Sequence, residues 1–319
     1  MSTSNIIQTL IKIIKKDFLH RIIPTYKFDD WIVDWNNNYE EIKVKYFDEK
    51  SIELPSIKND ALRAIMIDVY SSSMSSNTMK TWDRDYVRDK YEKNINGIDI
   101  IYYPSQTPKR IVFNFSSMGK DRYDRYSRYW DPSEEWLDDT VYIFFKDDSY
   151  SYYLGNKDTP KAGSYCALIK SFINMNSLNK EQAFTVGGSM GGYGALYYAI
   201  VLELNGAIVC SPQTCFKATL AHQYRNWEKH ILTMNGTFTD LDMLIHRGGK
   251  IPNIYIEYGK YPADLIAVNT LFDELKKYNN FLLIKRKANW EEHTVDTVLS
   301  KETVDNTIWY FENNGFIFD

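Results

Sequence analysis

Residues 184–196 read FTVGGSMGGYGAL, and the fold can be worked out from this stretch. It opens with β-prone apolar residues, passes through small residues around Ser189, and turns helical over 195–202. A strand, a sharp turn and a helix, with serine at the bend, form the context of a Gly-x-Ser-x-Gly nucleophile elbow. Gly187 and Gly191 fill the glycine positions, where side chains would collide with the neighbouring strand and helix. The pattern predicts a nucleophilic Ser189 above a helix N-terminus, and its alternative is a glycine-rich turn with an idle serine.

Apolar strands alternate with helices on both sides of this stretch, from about residue 97 onward. Strands are predicted at 98–103, 111–115, 141–145, 184–187, 206–210, 254–258 and 281–284. Helices are predicted at about 161–177, 195–202, 264–278 and 294–313. This alternation predicts an α/β fold with a mostly parallel central sheet covered by helices on both faces.

The chain is expected to comprise two parts. Residues 1–95 form an N-terminal helix and a small extension with strands at 31–35 and 42–47, and residues 96–319 form the α/β domain. An insertion at 212–250 could cap the site. The helix at 5–23 is amphipathic and basic, so it either lies on a membrane surface or docks on its own domain or a second subunit. The second interpretation leaves room for a homo-oligomer.

Composition narrows the function classes. The chain has 319 residues, of which 44% are hydrophobic and 25% charged, as in globular proteins with a substantial core. A formal net charge of -4 gives no reason to expect nucleic acid as a partner. Three cysteines, an odd number, argue against a disulfide framework and for a reducing compartment, the cytoplasm. No Cys/His spacing predicts a metal site, and no apolar run approaches the roughly 20 residues of a membrane span.

The serine needs a base and an acid, which in such sheets follow strands at their carboxyl ends. Of five histidines, only His293 lies between a late strand and the last helix, where its loop can reach back over Ser189. Asp264, which follows an earlier strand and a turn, is the predicted acid that orients the imidazole. Its alternative role is the N-cap of the next helix, and Glu257 and Asp296 are the other candidate acids.

An oxyanion hole requires two backbone N–H groups. Met190, the residue after the nucleophile, supplies one of them. The other is expected from the loop after an early strand, at Ser117 or Met118, where Gly119 would let a substrate approach the backbone closely.

The tract at 121–130 interleaves arginine with tyrosine next to this predicted loop. Arg122, Arg125 and Tyr126 could therefore bind a polyanionic or sugar substrate through charged hydrogen bonds and stacking. The alternative is a solvated helix with internal salt bridges.

From about residue 97 onward the chain resembles the α/β-hydrolase superfamily, on the elbow at Ser189 followed in order by Asp264 and His293. Within it, GGSMGGYGAL at 187–196 and CSPQ at 210–213 look like bacterial capsule and surface-glycan biosynthesis proteins. These include polysaccharide O-acetyltransferases of this fold and the accessory-secretion protein thought to acetylate glycans on adhesins. The resemblance implies acyl transfer from acetyl-CoA, through a seryl ester, to a sugar hydroxyl, with no bound cofactor.

Three function hypotheses follow from these residues. The first is a serine O-acetyltransferase that acts on a bacterial capsular or surface glycan. The second is a carboxylesterase or deacetylase with the same residues, in which water takes the acyl group. The third is a non-catalytic scaffold on a hydrolase fold. Exclusion of water separates the first two hypotheses, and no short motif encodes it.

Overall fold

The computed structural model of the protein describes residues 84–129, 139–223, 225–295 and 299–313. The chain divides into two compact units, Met1–Tyr86 and Val87–Asp319. The predicted helix at 5–23, the predicted strands at 31–35 and 42–47, and Asp296 lie outside the described residues.

The elements of the described chain are bounded as follows. The strands are β1 (Glu92–Ile95), β2 (Ile98–Tyr103), β3 (Arg110–Phe115), β4 (Thr140–Phe145), β5 (Ala183–Gly188), β6 (Gly206–Cys210), β7 (Asn253–Tyr258) and β8 (Leu283–Lys287). The helices are α1 (Arg84–Tyr91), α2 (Tyr126–Tyr129), α3 (Ala162–Met175), α4 (Met190–Val201), α5 (Phe216–Thr219), α6 (Asn226–Thr233), α7 (Leu241–His246), α8 (Pro262–Leu275) and α9 (Lys301–Glu312).

All eight strands form one sheet in the order β1-β2-β4-β3-β5-β6-β7-β8. β2 pairs antiparallel with both β1 and β4, and the remaining neighbours pair in parallel. The central strands β4 and β5 are buried along their whole length, which explains why they read as continuous apolar runs. The predicted mostly parallel sheet is therefore confirmed, with β5 and its serine at its centre.

Several boundaries differ from the prediction, and three of the differences have a physical reason in the structure. The last strand lies at β8, later than 281–284, because an exposed edge strand tolerates the charged residues 285–287 that a buried strand would exclude. The last helix begins at Lys301, where the Ser300 side chain accepts a hydrogen bond from the Thr303 amide as an N-cap. The sheet also begins earlier than predicted, at β1. The sequence did not predict this strand because it is short, half-exposed and has no apolar run.

The core contains many aromatic residues, and several of its tyrosines donate their hydroxyl groups to backbone carbonyls. Tyr153, Tyr193 and Tyr198 are fully buried and donate to carbonyl oxygens at 2.7, 2.8 and 2.6 Å respectively. A buried hydroxyl without a partner would cost free energy, so each bond fixes the ring that makes it. Many tyrosines of the chain thus serve the core and not a glycan surface.

Within the described ranges, no helix is both long and apolar enough to cross a membrane.

Candidate active site

Ser189 lies at the sharp turn between β5 and α4. Its backbone has φ 54° and ψ -123°, a conformation that costs on the order of 1–3 kcal/mol for a residue with a side chain. The two glycines make the turn possible: a Cβ on Gly187 would lie 2.1 Å from the Gly191 carbonyl oxygen. A Cβ on Gly191 would lie 2.2 Å from the Phe115 carbonyl oxygen at the end of β3. The structure therefore forms the nucleophile-elbow geometry that the sequence predicts.

Backbone hydrogen bonds on both sides of Ser189 hold this strained conformation. The Ser189 amide donates to the Cys210 carbonyl at the end of β6, at 3.0 Å. The Ser189 carbonyl accepts from the Tyr193 and Gln213 amides, both at 3.2 Å. Strain of this kind persists where the surrounding structure determines the backbone more than once, as it does here.

Ser189, His293 and Asp264 form a continuous hydrogen-bonded chain. His293 Nε2 lies 2.9 Å from Ser189 Oγ, and His293 Nδ1 lies 2.7 Å from Asp264 Oδ1. An ionised carboxylate can only accept, so Nδ1 must carry a proton and donate to Asp264. In the neutral ring Nε2 is then the acceptor for the Ser189 hydroxyl. Asp264 is completely buried, and Ser189 is 5% exposed.

The loop after β7 and the loop after β8 are hydrogen-bonded to each other, and this brings the acid and the histidine together. Asp264 lies in the first turn of α8, just after the loop that follows β7, and His293 lies in the loop after β8. The Lys260 amide donates to the Trp290 carbonyl at 2.6 Å, and the Ala288 amide donates to the Tyr258 carbonyl at 2.8 Å. These bonds prolong the pairing of β7 with β8 into the loops, so the strand register sets the distance between the two side chains.

Asp264 differs from the other candidate acids in the contacts that it makes. Glu257 is buried at the end of β7, where it accepts from the Tyr255 hydroxyl at 3.0 Å and lies 3.6 Å from Arg286 Nε. The helix N-cap is Tyr261 and not Asp264, which lies inside the first turn of α8. Asp264 is thus the carboxylate that contacts His293, and Asp296 lies outside the described residues.

The loop after β3 runs beside the N-terminus of α4, as the predicted oxyanion hole requires. Met190 begins α4, and first-turn amides of a helix have no acceptor within it. The Ser117 amide, however, already donates to Asp124 Oδ2 at 2.7 Å. Within the part of the chain that the structure describes, no acceptor is hydrogen-bonded to the Met118 amide. Of the two predicted loop donors, Met118 is the one that geometry leaves for a substrate.

Within the described part of the arginine and tyrosine tract, α2 is helical, Arg125 and Tyr126 are buried, and Arg122 is partly exposed. Arg122 donates to Asp124 Oδ1 at 2.6 Å and folds over Gly119, where a Cβ would lie 2.5 Å from the Arg122 Cδ. Arg125 is 3% exposed, and Tyr126 is 6% exposed. Arg125 and Tyr126 therefore present no open surface for stacking on a sugar, and binding of substrate by Arg122 stays a prediction. Close approach of a substrate at Gly119 likewise stays a prediction.

Local sequence patterns did not identify Asp124, because its bonds to Ser117 and Arg122 are formed across a turn with no repeating pattern. Burial alone would raise the pKa of Asp124, but the charges of Arg122 and Arg125 and the Ser117 amide lower it to about 2. The carboxylate is therefore ionised at neutral pH.

Aromatic side chains from residues 212–250 pack against His293. The Trp227 ring lies edge-on to the His293 ring at 4.9 Å between centroids, and the His222 ring lies 4.4 Å from Trp227. Burial, followed by the nearby His293, lowers the pKa of His222, which is therefore neutral at pH 7. His230 lies instead against Tyr150, at 4.9 Å. The predicted insertion thus reaches the site through Trp227.

Across the described ranges, no group of three or more His, Cys, Asp or Glu side chains is arranged to hold a metal ion.

Comparison with known proteins supports the fold. No family model and no curated protein sequence matches the chain. Among solved structures, the capsule O-acetyltransferase of Neisseria meningitidis serogroup A matches with a TM-score of 0.53 and 18% identity, covering 68% of this chain and 93% of its own. An S-formylglutathione hydrolase from Agrobacterium tumefaciens matches with a TM-score of 0.52 and 14% identity, over 70% and 93% of the two chains.

A third similar structure is a fluorophosphonate-binding serine hydrolase of Staphylococcus aureus, with a TM-score of 0.50 and 16% identity, over 70% and 96% of the two chains. At these identities the similarity concerns the fold. The chain has the α/β-hydrolase fold, which confirms the predicted fold class.

Proposed function

We propose that the protein is a serine acyltransferase that moves an acetyl group from acetyl-CoA to a hydroxyl of a bacterial capsular or surface glycan. The observation that carries the proposal is the chain of hydrogen bonds from Ser189 through His293 to Asp264, built on a strained elbow. This arrangement supports a Ser-His-Asp triad in which Ser189 is the nucleophile, His293 the general base and Asp264 the orienting acid.

In the first half of the reaction, Ser189 Oγ attacks the thioester carbonyl while His293 Nε2 takes the hydroxyl proton. Asp264 stabilises the imidazolium that forms. The amides of Met190 and Met118 would hold the tetrahedral oxyanion. Collapse of this intermediate breaks the C–S bond, and the proton on Nε2 passes to the departing thiolate. The products are an acetyl ester on Ser189 and free CoA.

In the second half, the acceptor hydroxyl gives its proton to His293 Nε2 and attacks the acetyl ester. Collapse of the second tetrahedral intermediate breaks the bond to Ser189 Oγ, which recovers the proton from the imidazolium. The sugar ester leaves and the enzyme returns to its starting state. Trp227 places an apolar ring against His293, and an apolar wall at this point supports exclusion of water from the acyl-enzyme, which transfer requires.

Two further points support an acetyl donor and a glycan acceptor. The elbow and the residues at 210–213 resemble surface-glycan O-acetyltransferases. A capsule O-acetyltransferase is also among the similar folds.

The second candidate function is ester hydrolysis by the same residues. The fold similarity to an S-formylglutathione hydrolase favours it to the same degree as the capsule enzyme favours transfer. The two functions share the acyl-enzyme and differ only in the acceptor.

The test is an acetyl-transfer assay with wild type and Ser189→Ala. Each protein is incubated with acetyl-CoA, with and without a panel of capsular glycans, and free thiol and glycan ester are both measured. We expect wild type to release CoA only with a suitable glycan, and Ser189→Ala to remain at the background rate.

Other outcomes decide between the remaining hypotheses. Release of CoA or hydrolysis of an aryl acetate at the same rate without any glycan would establish the hydrolase. Equal background rates for both proteins, with neither labelled by a fluorophosphonate probe, would leave a non-catalytic scaffold.

A further inference from the structure

The start of the loop after β3 is clamped at two successive residues, Ser116 and Ser117. The Ser116 hydroxyl donates to the Phe145 carbonyl at 2.7 Å and accepts from the Asp124 amide at 2.8 Å. The Ser116 carbonyl accepts from the Tyr153 hydroxyl at 2.7 Å. The Ser117 amide donates to the Asp124 carboxylate at 2.7 Å. Every bond holds the residues immediately before Met118.

Asp124 makes two of these hydrogen bonds. Its backbone amide donates to the Ser116 hydroxyl, and its carboxylate accepts from the Ser117 amide. The carboxylate is 9% exposed, and Arg122 Nε occupies its other oxygen at 2.6 Å. Arg125, whose side chain is wholly buried, adds positive charge at 3.9 Å. Buried charge-assisted hydrogen bonds of this kind are short and directional.

These hydrogen bonds also explain why the consecutive amides of Ser117 and Met118 play different roles. An amide that donates to a buried carboxylate cannot serve a transient oxyanion without breaking that bond. Since Ser117 is committed to Asp124, Met118 follows it as the next amide beside α4. The backbone at Phe115 and Ser116 touches the Gly191 position, so a small movement of the loop would change the distance from Met118 to the reacting carbonyl.

We propose that Asp124 is a positioning residue that sets the oxyanion-donor loop, committing the Ser117 amide to itself and leaving the Met118 amide as the loop's donor to the tetrahedral intermediate. The inference rests on the proposed function, since it assigns a role within the same acyl transfer. Asp124 does not contact substrate and acts through the loop backbone.

Asparagine cannot replace this carboxylate, and the reason suggests a rescue experiment. Both carboxylate oxygens accept, one from Ser117 and one from Arg122, whereas an amide has one acceptor and one donor end. Asp124→Asn therefore places an N–H group against another donor. In the double variant Asp124→Asn with Arg122→Leu, that conflict is removed and the amide oxygen can again accept from Ser117.

The experiment measures aryl acetate turnover and inhibition by a boronic acid, which forms a tetrahedral adduct with the nucleophilic serine. Active enzyme is counted in each sample by fluorophosphonate titration of Ser189. Asp121→Asn is the matched control, since Asp121 lies on the same loop and pairs with Arg88 and Lys146 at the surface. We expect Asp124→Asn to lower kcat per active site about 100-fold, as loss of an oxyanion-hole donor does, with little change in KM.

The boronate inhibition constant should rise by a similar factor in Asp124→Asn, recover at least tenfold in the double variant, and stay unchanged in Asp121→Asn. A merely structural role would lower the titrated fraction and the Tm but leave kcat per active site and boronate affinity intact. That result, or a loss confined to KM, would overturn the inference alone. Wild type that neither turns over the ester nor labels at Ser189 would overturn the proposed function, and the inference with it.

Discussion

The Asp264 carboxylate is completely buried, and its Oδ1 atom contacts His293. Among the residues that the structure describes, its Oδ2 atom has no hydrogen-bond partner. A buried carboxylate oxygen without a partner destabilises the fold, so this arrangement supports the proposed role of Asp264 as the orienting acid. Glu257, a few residues earlier, is a useful contrast because its carboxylate is paired within the sheet.

At the residue scale, we predict that Asp264→Asn lowers kcat by about 10³–10⁴-fold, because an amide stabilises the wrong imidazole tautomer. The Tm should stay the same or rise, since the substitution removes a buried carboxylate oxygen that has no hydrogen-bond partner among the described residues. Steady-state kinetics and thermal unfolding check both effects. Glu257→Gln is the matched control, and its kcat should remain within about threefold of wild type. A larger loss in Glu257→Gln than in Asp264→Asn would assign the acid to Glu257.

The β5–turn–α4 element depends on close backbone approaches that only glycine permits. The Gly191 position is closed by the backbone of β3, which cannot move aside as a side chain could. Gly163, near the start of α3, has open space around the corresponding position.

We therefore predict that Gly191→Ala destabilises the protein by more than about 3 kcal/mol or prevents soluble expression, because a methyl group would overlap β3. Gly163→Ala should raise the free energy of unfolding by up to about 1 kcal/mol through helix propensity. Chemical denaturation of both variants measures the difference. Equal stability of the two variants would mean that the elbow is looser than these distances imply.

The α6 element joins the insertion to the site through a single large side chain. Trp227 is buried against His293, whereas Leu232 on the same helix is 63% exposed. Trp227 also packs with Ala263 and Ala267 of α8, the helix that carries Asp264.

We predict that Trp227→Ala lowers the ratio of acyl transfer to hydrolysis about tenfold or more, because water gains access to His293 and the acyl-enzyme. Competition between water and an added alcohol for an aryl acetate donor gives this ratio directly. Leu232→Ala should leave it unchanged. A Trp227→Ala enzyme with the wild-type ratio would separate the insertion from water exclusion.

Elements buried on both faces were predictable from the sequence, and elements at the edge were not. β5 and β6 are apolar because both of their faces are buried along the whole strand, and this pattern is visible in a single chain. β8 carries Lys285, Arg286 and Lys287 on an open edge, so apolar patterning placed it too early.

The order Ser189, Asp264, His293 could be inferred because parallel strands present their carboxyl ends together. The Asp124 clamp and the Trp227 contact depend on side chains meeting through space, which no local pattern records.

At the scale of the whole molecule, the compact unit Val87–Asp319 contains all eight strands and the complete hydrogen-bonded chain at Ser189. The strands of the sheet pair residues that are distant in sequence, but all the described strands lie within this unit. The unit should therefore fold independently of the residues that precede it.

We predict that a fragment beginning at Arg84, the first residue of α1, is folded and reacts with a fluorophosphonate at Ser189 at a rate within about threefold of the full chain. Circular dichroism and labelling kinetics check the two properties, and the same fragment with Ser189→Ala is the control for specific labelling. An insoluble or unreactive fragment would show that the N-terminal region is needed to complete the fold or the site.

The most direct measurement of the central claim is intact-protein mass spectrometry after rapid acid quench of the full chain mixed with an aryl acetate. The account predicts one added acetyl group per chain, located by peptide mapping to Ser189. The adduct should be absent from Ser189→Ala and should decay faster when an acceptor alcohol is added. Acetylation elsewhere on the chain, or turnover of the ester by Ser189→Ala at the wild-type rate, would contradict the account.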